Sequence, residues 1–599
     1  VAARSCDNVA PTLVQAVRDL AGDDRRGFVF VRPGGEEVLR TFRQIAAESE
    51  RRGAALAARG LRPGDRLAMV IADSEDFVLS FLGALFAGVV PVPIYPQVGF
   101  RNVEVYRDGV AHVARAAGAA ALLTTEAGRP SLDGVEARAP SLRSVFTVGD
   151  LEGPASGGLP NVGPDDVAFL QFTSGSTSRP KGVIVTHGNL AANAEAFMIS
   201  GLRRDPEVDK GVSWLPLFHD MGLIGFVVGP LFTNVPCVFL PTASFVRAPR
   251  LWLDKIHQHR GTITYAPNFA YALVAKRVKD RDVAGLDLSS LRIAGCGAEP
   301  IQATALRDFA ARLAPAGFDP RAFVPSYGMA EATLAITFVP LRGGLATDRI
   351  DAAGLTEGEA RPPREGGAGD GSGATDAGGV EIVDCGVPFP GHELAIVDDA
   401  GARLPERRVG EIVTRGPSVT AGYCNEPELT ARAWAPLPGD APGERPWLRT
   451  GDLGYLAGGR LFVCGRKKDV IIVRGRNYYP SDIEWAVAAL PNVRRGNVVA
   501  FGVRAGPDGR PSADGAGEEH LVVCCEGASG DAAAIREMAG ACVASAFGLT
   551  PLEVVVAPLA SLPRTSSGKP QRSRTRQMYL DGTLPRAGSS EAGTDAEAG

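Results

Sequence analysis

Hydrophobic positions along this chain switch repeatedly between a helical period and short, continuously apolar β-branched runs. Leu56 to Arg59 closes a helix, Arg66 to Ala72 reads as a strand, Phe77 to Phe86 as a helix, and Val89 to Ile94 as a strand again. Strands that are apolar throughout are buried on both faces, so the pattern predicts an α/β architecture of largely parallel sheets flanked by helices. After Arg466 a second block of strands (Val470 to Val473, Val498 to Val503, His520 to Cys525) alternates with helices and predicts a small α+β domain. The expected division is a large domain over residues 1–465, a small one over 466–585 and a disordered tail over 586–599. Residues 357–380, rich in Gly, Ala and Pro, read as an exposed loop inside the large domain, because strand patterns resume at Glu381.

One run tests the membrane question: Gly222 to Pro241 carries no charge and is long enough to span a bilayer. Pro230, Asn234 and Pro236 interrupt it, so it reads instead as a buried helix followed by a buried strand, and no transmembrane segment is expected. With 599 residues the chain exceeds one hydrophobic core. A formal net charge of -5 argues against a general nucleic-acid binder. Nine cysteines without metal or disulfide spacing, and an N-terminal stretch carrying Arg4, Asp7 and Arg18 without an apolar core, predict a reduced, cytoplasmic protein.

Between the apolar runs Val167 to Phe172 and Val183 to Thr186 lies Thr173-Ser174-Gly175-Ser176-Thr177-Ser178-Arg179-Pro180-Lys181-Gly182. A triphosphate needs many short donors without bulky side chains in the way. Glycine lets backbone N–H groups turn inward, Ser and Thr add hydroxyls, and Lys181 adds a compact positive charge. The Walker spacing is absent, so a P-loop NTPase is not supported, and taken alone the run also fits a flexible Ser/Gly turn.

The whole string Phe172 to Leu190, FTSGSTSRPKGVIVTHGNL, resembles the signature loop of the adenylate-forming superfamily of acyl-CoA synthetases, luciferases and peptide-synthetase adenylation domains. Further matches follow in order. Gly297-Ala298-Glu299-Pro300 is similar to the adenine-pocket segment. Tyr327-Gly328-Met329-Ala330-Glu331 is similar to the motif whose tyrosine packs on adenine and whose Glu binds Mg²⁺. Gly410-Glu411-Ile412 resembles a strand entry, and Arg449-Thr450-Gly451-Asp452 the motif whose Asp accepts the ribose hydroxyls. Gly465-Arg466-Lys467-Lys468-Asp469 resembles the interdomain hinge, with Arg466 reaching the ribose and Lys468 as pivot. Leu562-Pro563-Arg564-Thr565-Ser566-Ser567-Gly568-Lys569 resembles the motif that carries the catalytic lysine. The resemblance implies a distorted barrel within the large domain and a mobile small domain. It also implies use of ATP and Mg²⁺, phosphates held by Thr173, Ser174, Gly175, Ser176, Thr177 and Lys181, and metal held by Glu331 and Thr173.

A finer resemblance is to the fatty acyl-AMP ligase branch, carried by Trp214 to Gly225 (WLPLFHDMGLIG), Ala266 to Tyr271 and Arg474 to Pro480. It implies that His219 lies by the substrate carboxylate, that Gly222, Ile224, Phe269 and Met329 meet the fatty acid, and that an inserted segment over about 338–385 hinders transfer to CoA. The implied acceptor is the phosphopantetheine thiol of an acyl carrier protein on a separate chain. The alternative is an acyl-CoA synthetase, which shares every adenylation motif. Arg564, Lys569, Arg572, Arg574 and Arg576 form a basic cluster that fits either an acidic carrier or a solvated face.

Overall fold

The structure is a computed structural model that describes residues 9–97, 103–153, 157–173, 180–363, 379–506, 517–527, 532–564 and 570–587. Among them a nine-stranded sheet runs, in spatial order, Val387–Pro388, Ala335–Phe338, Phe323–Gly328, Ile293–Cys296, Ile263–Ala266, Gly211–Ser213, Cys237–Phe239, Gly27–Val31 and Glu37–Thr41. Its middle is parallel and its two ends are antiparallel. A second, all-parallel sheet orders Val90–Pro93, Arg66–Val70, Ala121–Thr124 and Ser144–Thr147. These are the continuously apolar runs, and burial on both faces is why they lack polar alternation.

The helices start where short polar side chains take the free N–H groups. Thr41 and Gln44 form a reciprocal cap at Phe42–Ala58, and Asp73 accepts from Glu75 and Asp76 at the head of Ser74–Phe86. Phe77, Val78, Phe81, Leu82 and Leu85 are then almost wholly buried, each contributing roughly 1.5–3 kcal/mol by leaving water. The uncharged run after His219 becomes helix Asp220–Leu223, a π-helical turn Ile224–Val228 and helix Gly229–Thr233, which Asn234 ends with φ 57° before strand Cys237–Phe239. It is thus a buried helix followed by a buried strand. Among the described residues no helix is long and apolar enough to cross a membrane.

A five-stranded antiparallel sheet follows, built from Glu393–Val397, Gly410–Arg415, Trp447–Ala457, Trp434–Ala435 and Arg460–Arg466. Within the expected insertion, Thr347–Asp351 pairs with Gly379–Val383. Beyond the turn Lys467–Asp469, a three-stranded sheet of Val493–Ala505, Glu518–Gly527 and Glu553–Ala557 carries cores drawn only from residues 471–587. Tyr479 and Val470 are exceptions: Tyr479 packs with Ile350, Leu355, Ile382, Tyr455, Phe462 and Cys464, and Val470 lies against the same cluster. The eight cysteines among the described residues are free thiols, seven of them buried.

Candidate functional site

One cleft of about 3390 Å³ collects residues from both sheets and from the C-terminal strands and helices. At one wall Asp452 and Arg466 stand opposite each other on paired antiparallel strands. Tyr327 Oη donates to Asp452 Oδ2 at 2.7 Å, and Arg466 Nε lies 3.1 Å from Asp452 Oδ1. Burial pushes the Asp452 carboxyl above its ordinary range, and Arg466 and Tyr327 oppose that shift. Both Asp452 oxygens therefore hold protein partners. Nearby, Gly297, Ala298, Glu299 and Pro300 line the cleft after strand Ile293–Cys296. Ala298 takes φ 67°, a left-handed conformation that costs a non-glycine residue about 1–3 kcal/mol and recurs at ligand sites.

At the second wall Thr173 and Lys181 face each other across the hairpin Val167–Thr173 and Lys181–Thr186. Ser174, Gly175, Ser176 and Thr177 lie outside the described residues. Glu331, 8% exposed, sits in a short turn that follows Gly328 and Met329. Its carbonyl accepts from Thr420 N at 3.0 Å and Thr420 Oγ1 at 2.9 Å. Tyr423 Oη donates to Glu331 Oε1 at 2.8 Å, and Lys181 Nζ lies 5.1 Å from the centre of the Tyr423 ring. Burial pushes the Glu331 carboxyl up, with the Tyr423 hydrogen bond opposing. Sequence reasoning missed Tyr423, since a tyrosine after Gly in a polar stretch reads only as packing.

The donors here suit Mg²⁺, a hard cation bound through one or two carboxylates plus substrate phosphates rather than an all-protein cage. Glu331 and the Thr173 hydroxyl are such oxygens, and among the described residues no group of three or more His, Cys, Asp and Glu forms a metal cage.

On the third side His219 caps helix Asp220–Leu223, with Nδ1 2.6 Å from Asp220 Oδ1. Nδ1 also accepts from Met221 N at 3.4 Å, and His219 lines the cleft. Gly222 must be glycine, because a Cβ there would come 2.3 Å from Pro216 O. Gly222, Phe269 and Met329 line the cleft; Ile224 does not, and is fully buried in the main core. Glu299 Oε1 accepts from Phe269 N at 2.7 Å, joining residues 297–300 to this side. Deeper in, Phe197, Met198, Leu202, Phe226, Tyr265 and Phe338 give an apolar channel. Phe197 and Met198 lie in the π-helical stretch Glu195–Gly201, and Phe226 in Ile224–Val228. Such turns recur at functional sites, and hydrophobic periodicity does not reveal them.

Across the cleft stand Lys468, Arg564, Pro570 and Gln571. Burial and Arg466 push the Lys468 amine down. Lys569 lies outside the described residues, but Arg564 and Pro570, which flank it in the chain, pair in a β-bridge at the cleft. The basic cluster does not present one free face. Arg572 turns inward to Asp469 (2.6 Å), Glu484 (2.9 Å) and the Ala500 carbonyl (2.9 Å), and Arg576 donates to the Gly502 carbonyl.

Residues 21–424 match the family profile of AMP-binding enzymes. A Caulobacter vibrioides protein provisionally named an acyl-CoA synthetase is 37% identical over 96% of each chain. The long-chain-fatty-acid–AMP ligase FadD26 of Mycobacterium marinum is 36% identical over 86% of this chain and 87% of its own. Among solved structures, one from a study of fatty acyl-adenylate ligases of E. coli and L. pneumophila aligns with a TM-score of 0.85 at 33% identity, covering 97% of this chain and 99% of that one. A fatty acyl-adenylate ligase of L. pneumophila in complex with acyl adenylate and pyrophosphate aligns at 0.70 and 29% identity, covering 96% and 97%.

Proposed function

The chain belongs to the AMP-binding enzyme family, and from that premise we propose that it activates a fatty acid with ATP and passes the acyl group to an acyl carrier protein. The observation that carries this reading is the union in one cleft of a polar nucleotide end (Tyr327, Asp452, Arg466, Glu331, Lys181) with an apolar channel. A carboxylate oxygen attacks the α-phosphorus of ATP, the bond to the β-phosphate oxygen breaks, and pyrophosphate leaves with the electron pair. The obstacle is anion against polyanion: two like charges at 4 Å repel by about 4 kcal/mol at an effective dielectric near 20. Lys181 lies at the phosphate end, His219, by motif resemblance, lies by the carboxylate, and Lys569, also by motif resemblance, stabilises the charge that builds between carboxylate and α-phosphate. Mg²⁺, when bound, neutralises phosphate charge; Glu331 and Thr173 are the residues that would hold it.

In the second half the phosphopantetheine sulfur attacks the acyl carbonyl and AMP departs with the electron pair of the anhydride bond. Residues 466–585 act as the moving part, pivoting near Lys468 so that the Lys569 segment withdraws and the thiol enters. The inserted segment favours a carrier over free CoA. Its Ile350, Leu355 and Ile382 share a core with Tyr479 beyond the hinge, and that contact resists a large swing.

The test supplies ATP and fatty acids of graded length with CoA or with a phosphopantetheinylated carrier, and reads acyl-AMP, acyl-CoA and acyl-carrier by mass spectrometry. Fatty-acid-dependent pyrophosphate exchange and an acyl-carrier product are expected. Absence of exchange with every acid refutes adenylation, and acyl-CoA as the sole thioester moves the chain to the acyl-CoA synthetase reading. Lys569→Ala is expected to keep the melting temperature and lower exchange by about 10²–10³-fold.

A further inference from the structure

Tyr423 stands between the two charges that a triphosphate must meet together. Its hydroxyl donates to Glu331 Oε1 at 2.8 Å, and Lys181 Nζ lies 5.1 Å from its ring centre. Three sets of bonds put it there. Ile184 N donates to Gly422 O (3.0 Å) and Cys424 N to Gly182 O (2.7 Å), which stitches residues 422–424 onto the strand that begins at Lys181. Thr420 grips the Glu331 carbonyl, and Tyr423 N donates to Thr430 Oγ1 at 3.0 Å. Gly422 allows this path: it sits at φ 137°, and a Cβ there would meet Thr430 Cγ2 at 2.2 Å. The ring packs edge-on against Trp434, with centroids 5.1 Å apart, so it is not free to leave.

A cation and an anion sharing a partly dry pocket attract strongly, and a direct Lys181–Glu331 ion pair would withdraw both from a ligand. An aromatic ring prevents that collapse while favouring the cation on its face. The phenol meanwhile fixes one carboxylate oxygen. We propose that Tyr423 is a positioning residue that holds Lys181 and Glu331 apart and aimed at the β- and γ-phosphates of Mg·ATP. The assignment rests on the adenylation reading above.

The experiment compares the full-length protein with Tyr423→Phe and Tyr423→Leu. Calorimetric binding of Mg·ATP and of AMP is measured without fatty acid, and KM for ATP, kcat and the Mg²⁺ concentration for half-maximal exchange are measured with it. Loss of a hydrogen bond to a charged group predicts that Tyr423→Phe weakens Mg·ATP binding and raises KM and the Mg²⁺ requirement by about tenfold or more. AMP affinity should not change, because AMP lacks the outer phosphates. Tyr423→Leu, which also removes the ring, should lose more Mg·ATP affinity and lower kcat. Wild-type Mg·ATP affinity and Mg²⁺ requirement in Tyr423→Phe overturn the proposal, as does an equal loss of AMP and Mg·ATP affinity, which marks a general packing role. A wild-type protein that binds neither nucleotide overturns the adenylation reading itself, and this assignment with it.

Discussion

On the large-sheet side of the cleft, Tyr327, Asp452 and Arg466 are locked by direct bonds above a core that Tyr327 shares with Ile336, Ile412 and Leu448. On the far side, Arg564 and Pro570 are carried by a three-stranded sheet whose cores draw only on residues from 471 onward. One wall is thus part of a continuous hydrophobic body, while the other is attached to it by Tyr479, Val470 and polar links. Arg572, bonded to Asp469, fastens the second sheet to the turn Lys467–Asp469. Reorienting the far wall parts Tyr479 from the core it shares with Ile350, Leu355 and Ile382, whereas any shift within the near wall disrupts a much larger buried core.

The largest effect that separates the walls is expected at the near one. Asp452→Ala removes the acceptor of Tyr327 and the partner of Arg466, and loss of two charge-assisted contacts predicts a fall of about 10²–10³-fold in pyrophosphate exchange. Hydrogen exchange in strands 493–505 and 518–527 should stay unchanged in that variant, and a parallel loss of protection there would break the comparison. Next comes Arg572→Ala. It strands the carboxylates of Asp469 and Glu484, a change that costs about 3–5 kcal/mol when a buried pair loses one partner. Protection should fall in the C-terminal strands and not in strand 323–328.

The most gradual effects are in pH dependence, with a slope of up to about 1.4 kcal/mol per pH unit for one group. Buried His187, which accepts from Leu13 N, is pushed down to about 4 by burial, so the unfolded chain binds its proton first. Stability of the large-sheet side should therefore fall as pH drops from about 6.5 to about 4. Asp482 in the C-terminal part is pushed up to about 7 by burial, so the folded state holds its proton longer. Its contribution is present in acid and lost as pH rises through about 7. Denaturation of Asp482→Asn between pH 5 and 8 should lack that decline, and an unchanged slope would remove Asp482 as its source.

Much of the scaffold was legible because hydrophobic period and capping are local properties. The runs at 66–72, 77–86 and 89–94 each became the expected element within a few residues. The uncharged run at 222–241 divided as helix then strand because Pro and Asn mark their own breaks. The site was legible in a different way, as short strings with recognisable chemistry at Thr173, Tyr327, Asp452 and Arg466, all of which line the cleft. Ile224 shows the limit: adjacent Gly225 lines the cleft and Ile224 does not, because a π-helical turn changes which side chains face inward. Arg572 shows it too, since a charge in a basic run carries no sign of whether it turns to solvent or to a buried carboxylate.

Sequence alone determined the alternation of helices and strands, the family and many of the residue types that line the cleft. Tertiary structure alone decided which of them touch. Tyr327 finds Asp452 across 125 residues, Tyr423 finds Glu331 across 92, and Arg572 finds Asp469 across 103. Strand register and the stitching of loops onto strand edges set those pairings. Both depend on the packing of segments far apart in the chain, which no local pattern of hydrophobic and polar residues encodes.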